Sequence, residues 1–282
     1  MMFKTPEMEK KKQDFLERLK VDSGKVSRIM NVEQRSDEWL DARKARLTGS
    51  VFGSALGHNK HNTARQLLKE LLWKSFEGNP ATRHGTENEP KVQKLYEQFV
   101  EKHFKEKCSF YYPGLIVCEK HPWLAGSPDG LPLIGALRLL LEIKCPFYKK
   151  SYPHIPHYYY DQIQGIMGIL KLPYCDFVTW SKDVFQIRRF KFDPDYWNKV
   201  MFPGLEAFYM NEYLPRLILK EEGVLKHNEL EPAVDKNEID ETAIVLDDVE
   251  APKEFDFLWS TPVKSLPVDV DTTTPPAKRS KK

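Results

Sequence analysis

Asp129, Glu142 and Lys144 are the residues whose types and spacing could do chemistry together. Asp129 stands in the turn Ser127-Pro128-Asp129-Gly130, and thirteen residues after it comes Glu142-Ile143-Lys144, at the end of the apolar run Leu139 to Leu141. Side chains on a strand alternate between faces, so Glu142 and Lys144 share one face while Leu141 and Ile143 take the other. A chain that folds the turn back beside this strand joins the two carboxylates. With the backbone carbonyl of Ile143 they offer the hard oxygen ligands that Mg2+ takes, with Mn2+ as a substitute. Lys144 is then placed to orient or help deprotonate an attacking water and to stabilise charge growing on a phosphorus centre. A PDG turn or a Glu-x-Lys strand alone is common and carries little weight. A charged residue directly after a buried strand is costly without a partner, and that cost gives the combination its meaning.

Two flanking helices add further polar groups. From Glu87 to Phe104 the positions Val92, Leu95, Tyr96 and Phe99 follow a 3.6-residue period, and Glu89, three and seven residues before Val92 and Tyr96, shares their inward face. An acid there either takes a metal or a cation, or simply sits near a helix N-terminus where the dipole favours it. In a second helix, expected over Tyr158 to Leu170, Gln162 aligns with Ile166 and Ile169. Its amide is directed inward, towards the lysine, towards a ligand or into a structural hydrogen bond.

The elements that must hold these groups follow from pattern. Ser36 before Asp37 and Glu38 reads as the N-cap of a helix through Trp39 and Arg43, which Leu47-Thr48-Gly49-Ser50 ends before a short helix opens at Ser50. Gly114 to Cys118, Trp123 to Gly126 and Leu137 to Ile143 read as strands of an antiparallel meander, Tyr174 to Trp180 and Phe185 to Phe192 as two more, and Asp195 to Tyr213 as a closing helix. The order predicts an α/β (α+β) fold, a mixed central β-sheet flanked by helices. Residues 1–30 read as a charged N-terminal arm, a surface helix or frayed segment with Met8, Phe15, Leu16 and Leu19 at helical intervals, 31–220 as the folded domain and 221–282 as an acidic tail without fixed structure. Within the tail, EIDETAIVLDDVEAPKEFDFLW mixes acids with large apolar residues and could dock on a partner or fold back on the body.

Charge and composition narrow the function classes. Residues 221–282 hold 15 acidic and 8 basic residues, against 26 acidic and 35 basic in residues 1–220, so a body of net +9 carries a tail of net −7. A basic body suits a polyanion such as nucleic acid. No apolar run spans a membrane and no secretory signal opens the chain, which predicts an intracellular protein without a membrane partner. Cys108, Cys118, Cys145 and Cys175 lie far apart, a spacing that favours reduced thiols over zinc ligands or disulfides. The terminal Lys278, Arg279, Lys281 and Lys282 read equally as a nuclear-import signal or as a solvated basic end.

Four stretches taken together resemble a known family. EWLDARKARLTGS, HGTENEP, AGSPDG with LEIKCP, and YYYDQIQG occur in the order found in the phage lambda exonuclease family, the YqaJ-like viral recombinases of the PD-(D/E)XK nuclease superfamily, and span about residues 35 to 165. The resemblance implies a restriction-endonuclease-like core and a metal-dependent DNA exonuclease. In it Asp129, Glu142 and the Ile143 carbonyl bind the metal, Glu89 is an outer or second-metal acid, Lys144 is the catalytic lysine and Gln162 an active-site helper. It further implies a 5′-phosphate pocket from Arg43, Ser50 and Ser127, with Lys60 as an added basic DNA contact. A Gly-Ser step opening a helix suits an anion on physical grounds as well. His58 and His61 read as exposed loop residues and Trp39 as core. Double-stranded DNA with free ends, a single-strand annealing protein and a homotrimeric ring are the partners the family implies. A structure-selective endonuclease on the same fold and a catalytically idle DNA-binding scaffold are the competing functions.

Overall fold

In the computed structural model the described residues are 3–22, 24, 29–74, 79–147, 152, 154–230 and 257–262. Helix α1 (Pro6–Leu19) precedes α2 (Asp37–Arg43), strand β1 (Leu47–Thr48), a 3-10 turn over Gly49–Val51 and the short helix α3 (Phe52–Ala55). Helices α4 (Ala64–Trp73) and α5 (Pro80–His103) lead into β2 (Cys108–Tyr111), β3 (Ile116–Val117), β4 (Leu124–Gly126), β5 (Leu131–Ile134), β6 (Leu137–Arg138) and β7 (Leu140–Lys144). Then follow α6 (His157–Leu170), β8 (Tyr174–Trp180), β9 (Val184–Lys191), a helical run over residues 194–221 called α7, and β10 (Phe257–Pro262).

The strands form sheets in the orders β1-β4-β3, β2-β5-β6 and β10-β9-β8-β7. In the last, β7 and β8 are parallel from Leu140 beside Cys175 to Lys144 beside Thr179, while the β8–β9 and β9–β10 pairs are antiparallel. The sheet is therefore mixed, as the sequence predicts. A parallel pair requires a crossover, and α6 supplies it. On one face Leu139, Leu141 and Ile143 pack with Val92, Leu95, Tyr96 and Phe99 of α5; on the other Leu140 and Phe177 pack with Tyr160, Ile163 and Ile166 of α6. Burial on both sides is why β7 and β8 are almost continuously apolar.

Several expected boundaries move. Leu137 to Ile143 is two strands rather than one: β6 pairs with β5, whereas β7 leaves the meander to run parallel with β8. Strands β2 and β5 were not foreseen, because Pro132 interrupts the pattern of β5. Helix α5 begins at Pro80 rather than Glu87; Asn79 caps it by accepting from the Thr82 amide, with proline at the first helical position. Run α7 extends to Glu221 and widens into π-helical turns over Trp197–Met201 and Phe208–Tyr213. Each lies just before a proline, Pro203 or Pro215, whose ring and missing N–H disturb the preceding turn.

At the two ends of the chain the helical reading of the arm and the fold-back reading of the tail describe the residues seen. Met8, Lys12 and Phe15 of α1 are buried, and α1 is tied to the end of α7 by Lys11–Glu222 at 2.9 Å and Arg18–Glu221 at 3.2 Å. The first helix is docked on the body. After α7, Leu225 and Leu230 are buried, and β10 adds an edge strand to β9. Those stretches of the tail are structured; residues 231–256 and 263–282, with the terminal basic cluster, lie outside the described residues. No helix among the described residues is long and apolar enough to cross a membrane.

The approach of α3 to α6 depends on glycine. A Cβ on Gly53 would lie 2.5 Å from the Tyr158 Cα, and one on Gly165 would lie 2.4 Å from the Phe52 ring. Because the first obstacle is backbone, it cannot rotate away. Gly53→Ala is expected to destabilise the fold by about 2–3 kcal/mol, the usual overpacking cost, as a fall in the denaturation midpoint at unchanged slope. A loss under about 0.5 kcal/mol would mean that the two helices separate freely.

Candidate active site

The turn after β4 and the end of β7 meet at the sheet edge. Gly130 forms a bridge with Leu141, the Leu141 amide donates to the Gly130 carbonyl at 2.9 Å, and the Ile143 amide donates to Asp129 Oδ2 at 2.7 Å. The N–H and C=O of one strand residue point to the same side, so the Ile143 carbonyl also faces the Asp129 edge, away from β8. From α5, Gln93 Nε2 donates to the Asp129 carbonyl at 2.9 Å; from the loop before α2, Gln34 Nε2 holds the carbonyls of Pro113 and Pro128 at 2.9 and 3.1 Å. The turn is thus pinned from two sides.

Glu142 is 1% exposed. Its Oε1 accepts from Lys144 Nζ at 2.6 Å and Gln162 Nε2 at 2.5 Å, while its Oε2 is buried without a hydrogen-bond partner. A buried carboxylate oxygen left bare costs free energy unless a cation meets it. Lys144 also lies with Nζ 4.8 Å from the centre of the Tyr159 ring. Glu89 is paired with Arg35 at 2.7 Å. Sequence reasoning left that cation unnamed, because Arg35 precedes its partner by 54 residues and sits in a loop.

The electrostatics are those of a crowded acidic centre. Desolvation, then the charges of Glu142 and Glu89, push the Asp129 carboxyl well above the usual aspartate range, and burial also pushes Glu142 up against the pull of Lys144. Burial alone would lower Lys144, but Glu142 outweighs it, so the amine is held firmly as an ammonium. Oxygen donors at Asp129, Glu142, Glu89 and the Ile143 carbonyl, with one orphaned oxygen among them, fit a hard divalent cation.

Gln162 fixes which oxygen of Glu142 is presented. Partners of this kind typically change metal affinity or activity by about 10–100-fold. Gln162→Ala is expected to lower activity by roughly that factor while leaving the thermal unfolding midpoint within about 2 °C. A divalent-ion titration of rate separates lost affinity from lost turnover.

A second polar cluster adjoins the first. Arg43, in the last turn of α2, donates from Nη2 to Thr48 Oγ1 at 2.8 Å and to Ser50 Oγ at 3.4 Å, with its guanidinium carbon 4.2 Å from the centre of the Trp39 ring. Trp39 Nε1 donates to Ser127 Oγ at 3.0 Å, and that hydroxyl donates to the Gly114 carbonyl. Parallel pairing of β1 with β4 places Thr48 beside Ala125, which brings Ser50 and Ser127 to one end of the same sheet. Desolvation lowers the Arg43 pKa to about 10. Among the described residues no carboxylate is paired with it. Trp39 is half-buried and holds both Arg43 and Ser127, more than the core role expected; Thr48 was missed because nothing in its local pattern marks it. Lys60 stands exposed on the loop after α3, and its part in the site stays an expectation.

His58 corrects an expectation. Its side chain is only 4% exposed and its Nδ1 lies 2.9 Å from Asp161 Oδ2; His61 is exposed as expected. The His58 and His157 rings stack at 4.0 Å with planes 8° apart, and Tyr196 OH donates to Asp161 Oδ1 at 2.6 Å. Ligand atoms of His58, His157 and Asp161 fall within 4.8 Å of one another. Imidazole lone pairs lie in the ring planes, so two face-to-face rings would have to turn before they shared an ion. As it stands the cluster ties the loop after α3 and the start of α7 to α6, one residue before Gln162.

The mixed sheet, its crossover helix and an acidic, lysine-bearing edge define a restriction-endonuclease-like α+β protein. Residues 38–171 match the family model of the YqaJ-like viral recombinase domain, the family that the four sequence blocks resemble. Among solved structures it is similar to the alkaline exonuclease LHK-Exo from Laribacter hongkongensis, at 25% identity and a TM-score of 0.51 over 67% of this chain and 98% of that one. LHK-Exo in complex with dAMP matches at 22% identity and a TM-score of 0.50, covering 67% and 100%. An uncharacterized protein of Acanthamoeba polyphaga mimivirus is 25% identical over 178 residues, 56% of this chain and 31% of that protein. The chain thus spans under a third of that relative's length.

Proposed function

We propose that this protein is a Mg2+-dependent DNA exonuclease that resects double-stranded DNA from its 5′ end, for recombination or repair. The observation that carries the reading is the Ser127-Pro128-Asp129 turn, which joins an unpaired, desolvated arginine pocket to a carboxylate centre with a bare oxygen two residues away. The YqaJ-like domain and the likeness to an alkaline exonuclease support the nuclease class. Asp129, Glu142, the Ile143 carbonyl and Glu89 would hold the metal, which when bound supplies Lewis acidity towards the phosphate and a more acidic water. Lys144 stabilises charge on the phosphorane from one side, and Gln162 keeps Glu142 in place. Arg43 with Ser50 and Ser127 grips a terminal 5′-phosphate, a contact that sets the end of the strand against the centre and fixes polarity. A basic body of net +9 draws in the duplex.

Linear duplex labelled at its end, with 5′-phosphate or 5′-hydroxyl, and a covalently closed circle test this directly in Mg2+. Processive release from phosphorylated ends with closed circles intact is expected. Efficient cutting of closed circles would establish the endonuclease instead, and intact linear duplex in both Mg2+ and Mn2+ the idle scaffold.

A further inference from the structure

One loop touches both halves of the site. Gln34 holds the Pro113 and Pro128 carbonyls at 2.9 and 3.1 Å, next to Asp129, and Ser36 caps α2, which carries Trp39 and Arg43. Between these two anchors Arg35 has a φ of 72°. That left-handed backbone is uncommon outside glycine, asparagine and aspartate, and it persists only where the surroundings impose it. In this conformation the side chain reaches α5, where Nη2 donates to Glu89 Oε2 at 2.7 Å. The pair is uneven, with the Glu89 side chain 16% exposed and that of Arg35 45%. Glu89 belongs to the centre: its charge pushes up both Asp129 and Glu142, and Gln93, one turn along α5, donates to the Asp129 carbonyl. An ion pair so open to water is weak. A divalent cation among carboxylates and a phosphate oxygen on a guanidinium are both stronger contacts for the two partners.

We propose that Arg35 is an exchangeable counter-ion, which neutralises Glu89 in the metal-free protein and passes its guanidinium to a phosphate of the bound DNA strand once a divalent cation takes Glu89. The inference rests on the nuclease reading and deepens it, by naming a residue that couples metal loading to the grip on DNA. Arg35 then competes with metal in the free protein and adds to DNA affinity only when metal is present. Its planar fork suits a phosphate as well as a carboxylate.

Three measurements on the full chain test this: Mn2+ affinity without DNA, by electron paramagnetic resonance; the salt dependence of binding to 5′-phosphorylated duplex, in Ca2+ and in chelator; and thermal melting. Arg35→Asn, asparagine being tolerant of a left-handed backbone, should bind Mn2+ about fivefold more tightly than wild type. Its plot of log Kd against log salt should be shallower by about 0.9 in Ca2+, the loss of one phosphate contact, and unchanged in chelator. Glu89→Gln releases the guanidinium and should steepen the chelator slope by the same amount, an effect that the double variant lacks; this arm decides the matter if Arg35→Asn does not fold. A merely structural pair gives another pattern, a lower melting midpoint in Arg35→Asn with Mn2+ affinity no tighter and slopes equal to wild type, and that result overturns the exchange. A slope difference that persists in chelator overturns it too. If wild type cuts linear duplex in Mg2+ while Arg35→Asn matches it in Mn2+ affinity and both slopes, the exchange alone fails. If the expected binding pattern is present but no linear duplex is cut in Mg2+ or Mn2+, the nuclease reading fails and the exchange stands.

Discussion

Asp129→Asn is expected to make the metal-free protein more stable and to abolish hydrolysis. Its carboxyl is desolvated and faces Glu142 and Glu89, so it holds its proton to a higher pH in the folded state than in the unfolded chain. Between the unfolded value of about 3.9 and the raised folded value, the native state binds more protons, and stability falls as pH rises through that window. Above the raised folded value the metal-free protein bears this cost in full. Asparagine retains an acceptor for the Ile143 amide and removes one negative charge, so a gain of about 1–2 kcal/mol is expected together with a flatter pH profile. Activity should drop by at least about 10³-fold, as for loss of a principal stabilising group, and the stabilisation that Mg2+ gives wild type should vanish. Thermal melts from pH 4 to 8, with and without Mg2+, read all of this. A variant less stable than wild type at neutral pH would show Asp129 to be a structural cap of the Ile143 amide rather than a ligand.

The same opposition explains what could be seen in the sequence. Alternation along Leu139 to Lys144 and the period of Tyr158 to Leu170 are local rules, and they were enough to set Glu142, Lys144 and Gln162 on facing surfaces. Asp129 was legible because a PDG turn announces a reversal. Arg35, Trp39, Gln93 and Thr48 were not, since each acts through a partner that only the tertiary fold supplies: Glu89, Ser127, the Asp129 carbonyl and Arg43. His58 is the sharpest case. A histidine in the polar stretch GHNKHNTAR has every local mark of an exposed loop, and Asp161, 103 residues away, buries it. The parallel course of β7 was hidden for a related reason: a short strand does not encode its neighbour, and the thirty or so residues between β7 and β8 permitted a crossover that the meander reading did not consider.

Arg43→Met is expected to leave the fold intact or slightly more stable and to remove the preference for a 5′-phosphate. The guanidinium lies over Trp39 and meets only neutral hydroxyls, Thr48 and Ser50, so burial is not offset and its pKa falls to about 10. A cation with a lowered folded pKa disfavours the native state at every pH below that value; the cost fades only as pH rises above about 10. Methionine keeps the apolar contact with the indole and discards the charge. What it cannot do is form charge-assisted, forked hydrogen bonds to phosphate oxygens, worth about 1.5–3 kcal/mol each, so the ratio of kcat/KM for 5′-phosphate over 5′-hydroxyl ends should fall about 10–100-fold. Lysine at 43 should recover only part of it, being a point charge without the fork. An unchanged ratio in Arg43→Met would place end recognition elsewhere, whereas a large loss of stability would make Arg43 a structural bridge between α2 and the turn at Gly49–Val51. A half-buried charge without a carboxylate partner in the free protein is what a bound anion would offset, and under the proposed function that anion is the 5′-phosphate.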